Sequence, residues 1–277
     1  MSAWERTKDP QEIERYLRVY YYENIPLLAD LPQMGREIGP YADTLSLIGY
    51  RRQGELVAVQ GFYHYGRWLP HFVDSAALEP MLDDALRRRI RWLMGVRRIV
   101  DPFLERLWEL GFSSDYDEED HLCYVEPETL VPYPLPEVRR ATPEDIPEIA
   151  ELRFLFEREY FGTPEPFISK GWCHYVAEHY VQQGAYVVER DGRLVAMVAV
   201  EAELPELAHV GAVYTREGYR GRGFAKGVVT AICEELLARK PRVTLTVRVD
   251  NEIAYHVYQV LGFRRWTDYR MTRLHRF

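Results

Sequence analysis

Two short patterns occur twice in this chain, in the same order and at nearly the same spacing. Arg52-Gln53-Gly54-Glu55-Leu56-Val57-Ala58 resembles Arg190-Asp191-Gly192-Arg193-Leu194-Val195-Ala196, and the two glycines stand 138 residues apart. In both, a Gly-containing turn separates two apolar stretches, which is hairpin chemistry. Further along, Leu110-Gly111-Phe112 is matched by Leu261-Gly262-Phe263, 151 residues later. Each glycine closes an amphipathic helical stretch, where a left-handed cap is expected. Two landmarks in one order point to a duplicated unit rather than one large fold. A chain of 277 residues has room for two domains of ordinary size. The second copy is 13 residues longer between its landmarks, and a glycine-rich segment lies in that interval.

The boundary is legible from proline. Pro127, Pro132, Pro134 and Pro136 fall close together, and proline removes backbone donors and disfavours helix in the residue before it. The expected organisation is a first domain over residues 1–126, an extended linker over 127–137 and a second domain over 138–277. Thr142-Pro143-Glu144-Asp145 then supplies a helix start, with Thr142 as N-cap and acids at the positive helix end.

Composition narrows the function classes. The chain is 47% hydrophobic and 28% charged, with 20 Tyr, 11 Phe and 6 Trp, so a buried core is expected. A net charge of −8 disfavours a phosphate backbone as partner, so no nucleic acid is expected. Cys123, Cys173 and Cys233 are far apart and show no zinc-ligand spacing. His174 and His179 flank Glu178 but are five apart, not the i, i+4 spacing that puts two ligands on one helix face, so no metal is expected. No apolar run approaches the roughly 20 residues of a spanning helix, and the charged start does not read as a leader. A cytoplasmic protein is expected, with no membrane partner, and a homodimer is compatible with the sequence. Asp115 to Asp120 holds five acids, read as a solvated loop able to attract a cation.

The chemistry concentrates at Tyr219-Arg220-Gly221-Arg222-Gly223-Phe224-Ala225-Lys226-Gly227. An apolar stretch from Leu207 to Thr215 reads as a strand before it. Phe224, Val228, Ile232 and Leu236 read as one face of a helix after it. Strand, glycine turn and helix N-terminus together bind anions, because bare amides converge where no Cβ intervenes and the helix dipole adds positive potential. Arg220 and Arg222 are expected to add charge for a pyrophosphate. No Gly-Lys-Ser/Thr occurs, which excludes a Walker loop, and Lys226 stands where a dinucleotide fingerprint needs its third glycine.

Arg220-Gly221-Arg222-Gly223-Phe224-Ala225 resembles the R-G-x-G-x-A/G loop of the GNAT N-acetyltransferase superfamily. Downstream, Val247, Asn251, Ala254, Tyr258 and Gly262-Phe263 resemble the family's V-x-x-x-N-x-x-A-x-x-x-Y-x-x-x-G-F element. The resemblance spans about residues 138–274, with Glu217 standing where many members have proline. It implies an α/β fold of α+β mixed-sheet type. Two GNAT-like domains would lie in tandem, each a central, mostly antiparallel mixed sheet flanked by helices. The first would be degenerate, since it has no such loop, and the 151-residue offset puts Val100 in the place of Asn251 and Leu107 in that of Tyr258.

The resemblance also implies acetyl-CoA as co-substrate, direct acetyl transfer to an amine of a small molecule or peptide, and no metal. In that scheme Arg220, Gly221, Arg222, Gly223, Phe224 and Ala225 hold the pyrophosphate. Val213, Tyr214 and Thr215 offer backbone groups to the pantetheine arm, and Asn251 contacts the cofactor. Tyr258 donates a proton to the departing thiolate, as a tyrosine with its ordinary pKa of ~10 can at neutral pH. His209 is the candidate base, with Glu201, Glu203 or a water as substitutes. Two other readings stay open: a catalytically silent acyl-CoA-binding or regulatory protein, and a transferase of a longer acyl or aminoacyl group.

Overall fold

The computed structural model describes residues 4–33 and 45–276. The opening Met1-Ser2-Ala3, part of the leader reading, lies outside the described residues. Two compact units emerge: Met1–His121 with Thr267–Phe277, and Leu122–Trp266. The first runs β1 (Glu5–Thr7), α1 (Pro10–Val19), α2 (Ile25–Asp30), β2 (Leu45–Arg52), β3 (Glu55–Tyr63), β4 (Arg67–Phe72), α3 (Leu78–Leu86), β5 (Trp92–Val96), α4 (Arg97–Glu109) and β6 (Phe112–Val125). The second half of the chain runs β7 (Val138–Arg140), α5 (Ile146–Tyr160), α6 (Lys170–Gln183), β8 (Ala185–Arg190), β9 (Arg193–Glu203), β10 (Ala208–Thr215), α7 (Phe224–Leu237), β11 (Val243–Arg248), α8 (Glu252–Val260) and β12 (Arg264–Arg276), the last of which belongs from Thr267 on to the first unit. Element for element the two lists coincide, so the duplication read from the hairpins and caps is real at the level of architecture.

In each unit the sheet is mixed and mostly antiparallel. Strands β1 to β4 pair antiparallel in chain order and β4 meets β5 in parallel. Likewise β7 to β10 pair antiparallel in order and β10 meets β11 in parallel. The paired hairpins turn at Gln53-Gly54 and Asp191-Gly192, all four residues at positive φ. That backbone is where glycine, and next to it Asn or Asp, is tolerated.

The sixth strand does not follow the sequence boundaries. Antiparallel pairing of β12 with β5 sets Tyr269 against Val96 and Arg273 against Trp92, so residues from Thr267 onward complete the first unit rather than the second. Acids at 115, 117 and 119 and basic residues facing them account for this. Asp115 pairs with Arg273 at 2.6 Å, Asp117 with Arg270 at 2.5 Å and Thr272 at 2.7 Å, and Glu119 with Arg97 at 3.0 Å. The acidic run expected as a solvated loop is therefore strand, and Asp115, Asp117 and Glu119 are each paired with an arginine.

Residues 127–137 are extended, as proline requires, but they lie within the second unit. The Val131 N–H donates to the Leu261 carbonyl at 3.0 Å and the Tyr133 N–H to the Thr230 hydroxyl at 3.0 Å. The core of this unit packs α7 on one face of the sheet, through Val228, Val229, Ile232 and Leu236, with α5 and α6 on the other. Each of those buried aliphatic side chains contributes on the order of 1.5–3 kcal/mol relative to exposure.

Candidate active site

Two local irregularities make a cleft in the second unit. The first is a split: β10 and β11 are in register only at Ala208 with Val243 and His209 with Thr244, after which they separate. The outer half of β10 thus presents backbone groups without a partner from β11, and such groups need one. The second is a bulge, where pairing of β10 with β9 shifts between Gly211 and Tyr214 and Ala212 takes φ +50°.

The bulge corrects the sequence reading of this strand. Simple alternation puts His209, Gly211, Val213 and Thr215 on one face. Instead Ala208, Val210 and Val213 pack toward α7, whereas Ala212 and Tyr214 pack toward α5 and α6. His209 and Gly211 consequently face α5 and α6, and Val213 faces the opposite side. One extra residue inverts the side-chain phase of everything after it.

A cavity of about 720 Å³ lies at the split, within the ~300–1,000 Å³ of ordinary ligand clefts. Its walls bring together Val213, Tyr214, Thr215, Arg220, Gly221, Gly223, Phe224, Ala225, Asn251 and Tyr258. Arg222 and His209 are not part of the lining. Residues the sequence reading did not single out complete it: Phe156, Glu159 and Tyr160 of α5, Lys226, and Ile253 of α8. Ile253 is a large aliphatic side chain left 83% exposed at the cleft, a surface that a ligand would cover.

The floor of the cleft is built for an anion. Gly221 and Gly223 have φ +75° and +83°, a backbone that L side chains rarely adopt. Gly223 is also the N-cap of α7 and offers no side chain to its first turn. Helices α1, α6 and α8 by contrast are capped by Asp9, Ser169 and Asn251. The free N–H groups of α7 therefore face the cleft unpaired within the helix. Above them the Thr215 hydroxyl is buried and has no hydrogen-bond partner, and a buried polar atom without a partner is costly unless a ligand supplies one.

Both arginines of the loop have partners within the protein. Arg220 is committed to Glu159 and donates from Nε to the Thr215 carbonyl at 3.0 Å. Arg222 folds back on the Gly218 carbonyl at 3.2 Å and over the Tyr219 ring at 5.2 Å. Both brace the loop. Asn251 lines the cavity, but its side-chain oxygen accepts from the Ala254 N–H at 3.1 Å, so only its amide NH2 is left for a ligand.

Tyr258 is 6% exposed, packs at a tilt against Phe263 and lines the cleft from α8. Burial pushes its phenol well above the ordinary value of 10.0, so it stays protonated. Cys233 is fully buried in the α7 core and burial pushes its thiol up, which removes it as a nucleophile.

His209 sits beyond the split. Its Nδ1 lies 2.9 Å from the Thr244 hydroxyl, which donates to the Ala208 carbonyl at 3.4 Å. The hydroxyl proton being used, Thr244 accepts from Nδ1–H, and Nε2 keeps its lone pair. Burial lowers the imidazole pKa below the ordinary 6.5, opposed by the carboxylate of Glu201. That carboxylate crosses β10 directly over Gly211, where a Cβ would lie 2.3 Å from it, and accepts from the Tyr180 hydroxyl at 3.2 Å. Glu203, another substitute base, is instead bound to Arg239 and to Lys240 at 3.1 Å.

Residues 146–263 match the family model described as Acetyltransferase (GNAT) family. That segment is a GNAT-family domain. Solved structures share the architecture over nearly the whole length. A GCN5-related N-acetyltransferase from Sphaerobacter thermophilus has a TM-score of 0.65 at 16% identity, covering 98% of this chain and 95% of that one. A tandem GNAT protein from the clavulanic acid biosynthesis pathway has a TM-score of 0.59 at 13% identity, covering 98% of both. A putative GNAT acetyltransferase from Novosphingobium aromaticivorans reaches 23% identity with a TM-score of 0.52, over 79% of this chain and 88% of that one. No curated protein matches the chain.

The first unit repeats the GNAT element order but not the loop. Where β10 leads into α7 through glycines, β4 leads into a short turn capped by Asp74. Its carboxylate accepts from the Ala76 N–H at 3.0 Å and pairs with Arg52 at 2.6 Å. An anion is already built into that position. Leu107, at the offset of Tyr258, is fully buried apolar core. Val100, at the offset of Asn251, is core inside α4 rather than a cap, because α4 begins at Arg97.

Proposed function

We propose that the GNAT domain transfers an acetyl group from acetyl-CoA directly to an amine of a small molecule or peptide. The observation carrying this reading is the conjunction at one cleft of a splayed β10–β11 pair, an uncapped α7 N-terminus behind two left-handed glycines, and the orphaned Thr215 hydroxyl. The amides from Gly221 to Ala225 would hold the diphosphate, and the free backbone of β10 would pair with the amides of the pantetheine arm. Acetyl-CoA supplies an activated carbonyl; the rest falls to the chain's own residues.

Tyr258 Oη, kept protonated by burial, donates its proton to the leaving sulfur. The neutral amine attacks the thioester carbonyl, and His209 Nε2, which lies outside the cavity lining, takes through water the proton that the amine nitrogen sheds as the C–N bond forms; Glu201 stabilises the imidazolium that results. Glu203 is removed from this role by its two cationic partners.

The test is release of free thiol from acetyl-CoA across a panel of amines and peptides. Amine-dependent release supports the enzyme. Tight acetyl-CoA binding with no release under any amine would favour a silent binding protein, and release only from longer acyl-CoA donors would favour a different transferase.

A further inference from the structure

Lys226 stands at the third position of α7 and lines the cleft, yet neither the loop motif nor the proposed chemistry uses it. Side chains in a helix lean toward its N-terminus, so that of Lys226 leans back over the outer rim of the glycine loop. There its ammonium lies 4.3 Å from the centre of the Tyr133 ring. Among the described residues no carboxylate pairs with it, whereas Arg220 is spent on Glu159 and Arg222 on the Gly218 carbonyl.

Tyr133 is held in place by its own segment. Its N–H donates to the buried hydroxyl of Thr230 at 3.0 Å, and Leu135 lies so close to α7 that a Cβ on Gly227 would come within 2.7 Å of it. The Tyr133 hydroxyl in turn lies 2.7 Å from where a Cβ on Gly223 would be, so the ring rests directly on the loop. Proline at 132, 134 and 136 stiffens this strap. The strap falls outside residues 146–263, the segment that matches the family model.

We infer that Lys226, aimed by the Tyr133 ring, is the cation that recognises the 3′-phosphate of CoA. This rests on acetyl-CoA being the donor. The diphosphate is served by the loop amides; the remaining phosphate is a monoester dianion for which no amide cradle is left, and a lone ammonium at the rim matches it. A ring face holds an ammonium without neutralising it, so the charge is preoriented and still available.

The experiment compares dissociation constants of acetyl-CoA and 3′-dephospho-acetyl-CoA by isothermal titration, for the full chain and for Lys226→Met, Tyr133→Leu and Tyr133→Phe. The expected result is that loss of the 3′-phosphate weakens binding roughly tenfold in the unaltered chain. In Lys226→Met the two ligands should bind equally, at the dephospho value. Tyr133→Leu should narrow the difference and Tyr133→Phe, which keeps the ring, should preserve it. Equal affinities in the unaltered chain, or a Lys226→Met variant that weakens both ligands alike, would overturn the inference while leaving acetyl-CoA as donor. Binding of neither ligand would remove the donor assignment itself.

Discussion

Tyr258 and His209 have opposite electrostatic settings, and each setting makes its own prediction. Burial raises the Tyr258 phenol, so it does not titrate near neutrality and places no limb on the rate profile there. Tyr258→Phe keeps the ring packing against Phe263 and removes only the proton. Turnover should fall at least ~10-fold with little change in acetyl-CoA affinity, as stopped-flow turnover and titration will show. His209 has its pKa lowered from 6.5, so it is neutral at pH 7 and activity should fall only as pH drops below that value. In His209→Gln that acid limb of kcat/KM should vanish along with most activity; an unchanged limb would assign it to another group. The glycine turn was legible from local pattern, whereas Asn251 and Tyr258 stood out only through the resemblance to the family's downstream element. The pairing of Arg220 with Glu159 was not readable, since the two are 61 residues apart and only the fold brings them together.

At the scale of elements, the glycine loop and the strap over it behave as one part. Gly223→Ala would place a Cβ at φ +83° and within 2.7 Å of the Tyr133 hydroxyl, so both backbone strain and the strap oppose it. The expected outcome is loss of acetyl-CoA binding by more than ~10-fold, while Gly218→Ala, which meets nothing within 4 Å, should bind as the unaltered chain does. The β6 and β12 charge ladder makes a pH prediction. Asp115, bonded to Arg273 and His275, has its carboxyl lowered from 3.8 to about 2. Its stabilising effect is therefore complete above pH 3.8 and is lost as pH falls toward 2. Because the pair is solvent-exposed the effect should be small and should shrink further in high salt. Strand period was legible for β10, but its bulge was not: nothing in Gly211-Ala212-Val213 announces an extra residue, because the bulge is set by pairing with β9.

For the whole molecule, element order was recoverable from repeated hairpins and caps, and the destination of the last strand was not. Which sheet Arg264 to Arg276 joins depends on partners more than 150 residues away, such as Asp115 and Asp117. Removing residues 267–277 takes Tyr269, whose hydroxyl donates to the Glu23 carbonyl at 2.8 Å, and buried Leu274 from the first unit. Calorimetry should show the melting temperature of that unit falling by more than about 5 °C. An unchanged thermogram would mean that the strand contributes nothing to it.

The claim beneath the rest is that amides at the head of α7 grip the diphosphate of acetyl-CoA. Amide chemical shifts of the nitrogen-15-labelled protein, followed during titration with acetyl-CoA, test it residue by residue. The largest saturable changes should fall on Gly221, Arg222, Gly223, Phe224 and Ala225, with Thr215 beside them. Silent loop amides, or saturable changes confined to residues elsewhere, would contradict the account.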